Sequence, residues 1–251
     1  MTELAYLPTI EDAYVREFRA RILARPPGGV VLDRTYFYPT GGGQACDRGT
    51  IAIAGGRAVE VVDVAKRAGS VVHRLRGPPE ALAGLQVGVD VIGRIDWEPR
   101  HRHMRLHTGQ HYLSARIYAL YGIRTRHATM REREATLDLE SPLPEGALPE
   151  LAEVARRWAE PPRAVSVLSL SRAEWDRAPG ARSGLVPLAP GVDPVRLIEI
   201  ADVDRCPCGG THVRSTLELG AVAIHAPVAP AAGGGRLTFA LTDGLPPSAN
   251  A

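Results

Sequence analysis

The sequence predicts an α+β protein of two domains: a small N-terminal β-barrel, then an α/β domain with a mixed sheet. Three observations predict it. Up to about residue 95, short β-branched runs alternate with Gly/Pro breaks, the spacing of a small barrel or sandwich. From about Glu98 to Tyr121, apolar residues recur at three- and four-residue steps, the period of a helix. Beyond Gly122, strand and helix patterns follow one another, as in an α+β domain. The expected boundaries are 1–95 for the barrel, 96–245 for the second domain and 246–251 for a frayed tail. A chain of 251 residues has room for both domains.

In the barrel, Val30–Leu32 leads into Thr35–Tyr38, followed by strands at Gly49–Ile53, Ala58–Val64 and Ser70–Leu75. Asp90–Trp97 reads as the last strand, and Pro99 stands where a helix can begin. Met104, Leu106, Leu113, Ile117 and Leu120 mark the buried stripe of that helix, and Gly122 is its stop. Then come a strand at Ala135–Leu139, a helix over about 149–160, a strand at Ala164–Leu170 and a short helix after Ser171. A strand at Val195–Ala201, the CPCGGTH loop, and two last strands near Ala221–Ile224 and Leu237–Leu241 complete the chain. Residues 141–149 and 178–194 are Pro/Gly-rich loops, and no internal repeat is visible.

The formal net charge of +2 does not announce a nucleic-acid binder. Of the 30 basic residues only Lys66 is a lysine. A GC-rich genome explains that bias, although arginine also suits bidentate phosphate contacts. No run approaches the roughly 18 apolar residues of a membrane span. The N-terminus carries early acids and no apolar core, so no signal peptide is expected. Three cysteines, two of them one residue apart, do not make a secreted disulfide framework. These features are read as those of a cytoplasmic protein.

His107 and His111 are four apart, which places both imidazoles on one helix face within reach of one ion. This is the spacing of the HExxH half-site, but Thr108 replaces its Glu, so the built-in base is missing. Alone, the pair reads equally as surface histidines near arginines. Cys208-Gly-Gly-Thr-His212 supplies a thiolate and an imidazole around two glycines that permit a tight loop. Together the four make a donor set suited to Zn2+. Cys206 is an alternative sulfur. Four protein ligands resemble a closed structural site, whereas catalytic zinc keeps a position for water. His212 is therefore either a ligand or a group facing substrate or water.

HTGQH, DRCPCGGTHV and the upstream FYPTGGGQACDRG, in this order, resemble the freestanding alanyl-tRNA editing proteins (AlaX type, medium-length subgroup) and the editing domain of alanyl-tRNA synthetase. The resemblance implies that the second domain is a zinc-dependent editing domain. It would hydrolyse the ester joining serine, or alternatively glycine, to the acceptor end of tRNA(Ala). It implies His107, His111, Cys208 and His212 as the zinc ligands. It places Gly41, Gly42, Gly43 and Gln44 near an amino-acid pocket, together with His127, Gln110 and Thr211. Gln110 departs from the small hydroxyl residue of some relatives, and Ala231–Arg236 stands where relatives carry a basic stretch. Gly41–Gly43 read equally as a barrel turn.

An aminoacyl ester is already activated, so a modest catalyst suffices. Zinc would polarise the carbonyl, activate water, or only anchor the substrate beside a separate water; no Asp or Glu adjoins either helical His as a base. Arg100, Arg102 and Arg105, extended by Arg124 and Arg126, are the expected grip on acceptor-end phosphates. His101 and His103 are not expected to be ligands. Two other readings stay open: a zinc-stabilised RNA-binding module without hydrolysis, and a hydrolase of another small ester or amide. No protein partner is expected.

Overall fold

In a computed structural model of the chain, residues 1–177, 188, 190–225 and 234–242 are described. The stretch 178–194 and the segment 231–236 are thus covered only in part, and the tail 246–251 lies outside the described residues. The chain divides into two compact units, Met1–Arg102 and His103–Ala251. No helix among the described residues is long and apolar enough to cross a membrane.

The first unit contains β1 (Glu3–Leu4), β2 (Glu17–Ala24), β3 (Gly29–Leu32), β4 (Arg34–Thr35), β5 (Gly49–Ala52), β6 (Val59–Arg67), β7 (Ser70–Arg76), α1 (Pro79–Gly84) and β8 (Asp90–Ile95). Hydrogen-bonded neighbours run β2-β3-β7-β6-β5-β8, and β8 pairs back onto β2, so the ladder closes on itself. Its interior is apolar: Ile22, Leu32, Phe37, Ile51, Val61 and Val64 are almost completely buried. β2 shows why a strand forms there. Phe18, Ala20 and Ile22 are buried between exposed Glu17, Arg19 and Arg21, the period-two pattern of a half-buried strand. That strand was not in the sequence reading. The expected strand over Thr35–Tyr38 is cut to Arg34–Thr35, because Tyr38 turns instead into the glycine loop. His73 is a core histidine whose Nε2 is 2.8 Å from Thr35 Oγ1; burial pushes it down to about 4.

The glycine loop is held by its two ends. Tyr38 N–H donates to Asp47 Oδ2 at 2.6 Å, Asp47 N–H returns to the Tyr38 carbonyl at 3.0 Å, and the Tyr38 hydroxyl donates to the Gly41 carbonyl at 2.7 Å. Gly41 and Gln44 exchange backbone hydrogen bonds around Gly42 (φ 53°) and Gly43 (φ 78°). A two-residue turn with both φ positive is open to glycine at little cost.

Arg100 closes this arrangement. It lies in the first turns of α2 (Trp97–Tyr121), and its side chain is fully buried. Its Nε is 2.9 Å from Asp47 Oδ1, its Nη2 pairs with Asp47 Oδ2, and its Nη1 donates to the Ala13 carbonyl at 2.6 Å. Arg100 was expected to contact RNA phosphates. That expectation is corrected: its charge is spent inside the first unit on Asp47. The unit boundary accordingly falls within α2, after these turns.

The second unit holds the rest of α2 with β9 (Thr125–Met130), β10 (Glu134–Leu139), α3 (Ala147–Arg156), β11 (Val165–Leu170), α4 (Arg172–Arg177), β12 (Val195–Ile200), β13 (Asp204–Pro207), β14 (Val222–His225) and β15 (Gly235–Leu241). The strands form two sheets, β14-β15-β10-β9 and β11-β12-β13. Every described ladder in them is antiparallel, so the expected mixed sheet is corrected. Short connections such as 131–133 and 201–203 return the chain beside itself, whereas parallel pairing needs a long crossover. The α+β class stands.

α2 covers the apolar face of the larger sheet. Leu137, Leu237 and Phe239 are completely buried on that face, and Met104, Leu106, Leu113 and Ile117 on the helix. Helix and sheet come close enough at Gly109 that a Cβ there would lie 3.3 Å from Phe239 and Trp158. Ser114 Oγ meets Thr125 Oγ1 at 2.7 Å, tying the helix to β9. The helix ends with Gly122 N–H on the Tyr118 carbonyl at 2.8 Å.

Asp47→Ala strands a buried guanidinium, and its expected cost is about 3–5 kcal/mol. Chemical unfolding of wild type and variant measures it, and a difference below about 1 kcal/mol would contradict this account of the pair.

Candidate metal centre

Four donors meet in the second unit. α2 brings His107 and His111 to one face, and the segment after β13 brings Cys208 and His212. One donor atom from each lies within 4.8 Å of all the others. Cys208 Sγ is 3.4 Å from His107 Nε2 and 3.3 Å from His212 Nε2. Ordinary zinc bond lengths on a tetrahedron place N and S ligands about 3.5 Å apart. The three histidines are buried and Cys208 is half-buried. Soft thiolate plus imidazole at this spacing fits a tetrahedral divalent ion.

The loop is shaped for close approach. A Cβ on Gly210 would fall 2.1 Å from His107 Cε1, so only glycine lets the backbone pass this ring. Gly210 N–H donates to Cys208 Sγ at 3.3 Å, a contact that favours the thiolate. Arg196 of β12 donates to the Cys208 carbonyl, and Cys208 N–H donates to the Arg196 carbonyl at 3.3 Å.

Two further residues orient the rings. Thr108 Oγ1 is 3.1 Å from His212 Nδ1 and accepts from Val213 N–H at 3.2 Å. If Nδ1 carries the proton it donates to Thr108, leaving the Nε2 lone pair toward the sulfur. Asp204 Oδ2 is 3.0 Å from His111 Nδ1. Sequence reasoning missed both. Thr108 registered only as the wrong residue for a protease base. Asp204 was legible in principle, since residues 204, 206 and 208 share one side of an extended strand.

The electrostatics suit metal capture. Burial opposes the Cys208 thiolate, but its electrostatic interaction with His107 and His212 and hydrogen bonds from His107 and His111 outweigh it, holding the thiol well below its usual range. Burial and then repulsion from His107 keep His212 well below the usual imidazole range, ready as a neutral ligand. For His111, burial is outweighed by the Asp204 hydrogen bond and by Cys208, and it is pushed up to about 10. Without an ion the ring is an imidazolium, whose proton must leave if the ring is to become a ligand. Burial, then the charges of Asp204 and Cys208, raise Cys206 well above the usual thiol range. Its sulfur belongs to a second group with His111 and Asp204.

The other expected residues fall out as follows. Thr211 is completely buried inside the donor loop. Gln110 donates along α2 to Ser114 Oγ at 2.9 Å. His127 is exposed and pairs in register with Asp138, on the sheet face opposite the one α2 covers; the fold does not bring it to the cluster. Gly41–Gln44 belong to the first unit. Arg105 is held on the Leu219 carbonyl at 2.7 Å. Arg126 is exposed, while Arg102 and Arg124 are half-buried, with Arg124 5.7 Å from the Tyr118 ring. His101 stacks on Trp97 at 5.2 Å, and neither His101 nor His103 joins a donor group among the described residues.

Two outcomes check this geometry. Gly210→Ala forces His107 aside, and the affinity for added zinc, read by chelator competition, should drop at least about tenfold. Near neutral pH, one proton should leave His111 per ion bound, so affinity falls about tenfold for each pH unit of acidification. Calorimetry in buffers of different ionisation enthalpy counts that proton; a count of zero would refute the assignment.

Comparison with known proteins now adds a family. Residues 8–99 match the model for class II (A) tRNA synthetases. Residues 195–233, which include Cys208 and His212, match the threonyl and alanyl tRNA synthetase second additional domain. The chain is 37% identical over 233 residues to the alanine–tRNA ligase of Pyrobaculum neutrophilum, covering 86% of this chain and 24% of that protein. It is 35% identical over 219 residues to that of Pyrococcus abyssi (85% and 23%) and 36% over 220 to that of Ignicoccus hospitalis (85% and 23%). The chain therefore spans about a quarter of the length of these relatives. Two family models and a similarity that runs through both units agree that it is an alanyl-tRNA synthetase editing-domain-like protein.

Proposed function

We propose that the chain is a zinc-dependent aminoacyl-tRNA deacylase that removes misplaced serine from the acceptor end of tRNA(Ala), within cytoplasmic translation, with glycine as the alternative substrate. The observation that carries this reading is the His107–His111–Cys208–His212 cluster, half of which lies in the segment matched by the second additional domain. Alanine–tRNA ligase relatives at about this similarity point to the tRNA. Zinc bound there would supply a Lewis acid that anchors or polarises the substrate.

The chain's own residues do the rest. Thr108 and Asp204 hold two rings in fixed orientation, so little reorganisation is needed when substrate binds. His212 sits with its Nε2 3.3 Å from the Cys208 sulfur, which favours ligation over a role facing water. Thr211 and Gln110 adjoin the donors in sequence and remain our choice of substrate-reading residues. For the RNA phosphates we retain Arg102, Arg124 and Arg126; Arg105 is held on a carbonyl and ranks behind them.

One observation favours a second reading, a metal-stabilised RNA-binding module. Four protein donors fill a tetrahedron, the habit of a structural site. Deacylation of seryl-tRNA(Ala) separates the two. Wild type should release serine, His111→Ala should be slower by about 100-fold or more, and chelation followed by zinc should abolish and restore the rate. Tight tRNA binding with no serine release by the zinc-loaded wild type would replace the hydrolase with the binding module.

A further inference from the structure

We infer that Asp204 is a positioning residue of the metal centre: its buried carboxylate orients His111 and balances the charge of a divalent ion held by the four donors. The inference rests on the metal reading above and adds a residue outside the donor set.

The geometry is specific. Asp204 Oδ2 lies 3.0 Å from His111 Nδ1, the nitrogen on the far side of the ring from Nε2. Both side chains are shielded, with relative exposures of 6% for His111 and 0% for Asp204. A carboxylate accepting from Nδ1–H fixes the tautomer and leaves the Nε2 lone pair for an ion, as outer partners of metal-bound histidines do. Asp204 opens β13, where Ile200 of β12 is its partner in register. The carboxylate therefore stands on a paired strand rather than on the donor loop.

Charge supplies the second argument. Three neutral imidazoles and one thiolate around a divalent ion leave a net charge of +1 in a buried place. An uncompensated buried charge is costly. Asp204 contributes the missing negative charge next to the ligand, without taking a coordination position. The second donor group of His111, Asp204 and Cys206 shows how close this carboxylate stands to the centre.

The test uses the full chain and zinc alone. Chelator competition measures affinity in wild type, Asp204→Ala and Asp204→Asn. The alanine variant should bind zinc on the order of 10–100-fold more weakly. The asparagine variant, which keeps an acceptor oxygen but no charge, should fall between the two. It also keeps the shape of the site should the alanine variant fail to fold. The rise in melting temperature on adding zinc should shrink in the same order. Affinities within twofold of wild type in the variants, with only a lower melting point of the metal-free protein, would reduce Asp204 to a packing role and overturn the inference. A wild type that takes up no zinc would instead overturn the metal reading itself.

Discussion

Three imidazoles and a thiolate packed side by side in a protein interior need a reason to stay there, because each is a polar group removed from water. In the second unit almost every nearby choice answers that demand. α2 spaces His107 and His111 by four so that both rings point one way. Gly210 yields its side chain to let the loop pass His107. Thr108 and Asp204 take the outward nitrogens of two rings, and Arg196 grips the Cys208 backbone. An ion at the centre would convert a repulsive crowd into a bonded one.

Much of this was legible in the sequence, for a physical reason. Metal donors are few in kind and constrained in spacing, so His107-x-x-x-His111 and Cys208-x-x-x-His212 stand out before any fold is known. The long helix was legible too, since Leu106, Leu113 and Ile117 fall at its period and are fully buried, although Leu120 of the same pattern is exposed. What stayed hidden depends on tertiary pairing. Asp204 looks like any strand-edge acid until β13 is laid beside α2. Arg100 looks like one arginine among several until Asp47 is found beneath it. β2 escapes a reading based on β-branched runs, because its Phe18–Ala20–Ile22 alternation contains only one β-branched residue. His127 was drawn to the site by family resemblance, and its sheet register turns it away.

The first unit shows the same economy with different chemistry. A glycine turn that would otherwise be a loose excursion is fastened by Tyr38 and Asp47, and Asp47 is fastened by Arg100. Such a pair adds little net stability over apolar packing, yet losing one partner strands a buried charge. Here the pair links the loop to the opening turns of α2.

The separation of the donors along the chain has a consequence for biosynthesis. Cys208 and His107 lie 101 residues apart, so the centre closes a very long loop, and the entropy of closing it is charged only once. A nascent chain that has emerged through α2 carries two of the four donors and no site. Ion capture becomes available only after β13 and the loop behind it have left the ribosome. Filling the centre thus requires synthesis past His212, with β14 and β15 of the second unit still to follow, and a chain stalled before residue 208 is chemically distinguishable from one carried through the donor loop.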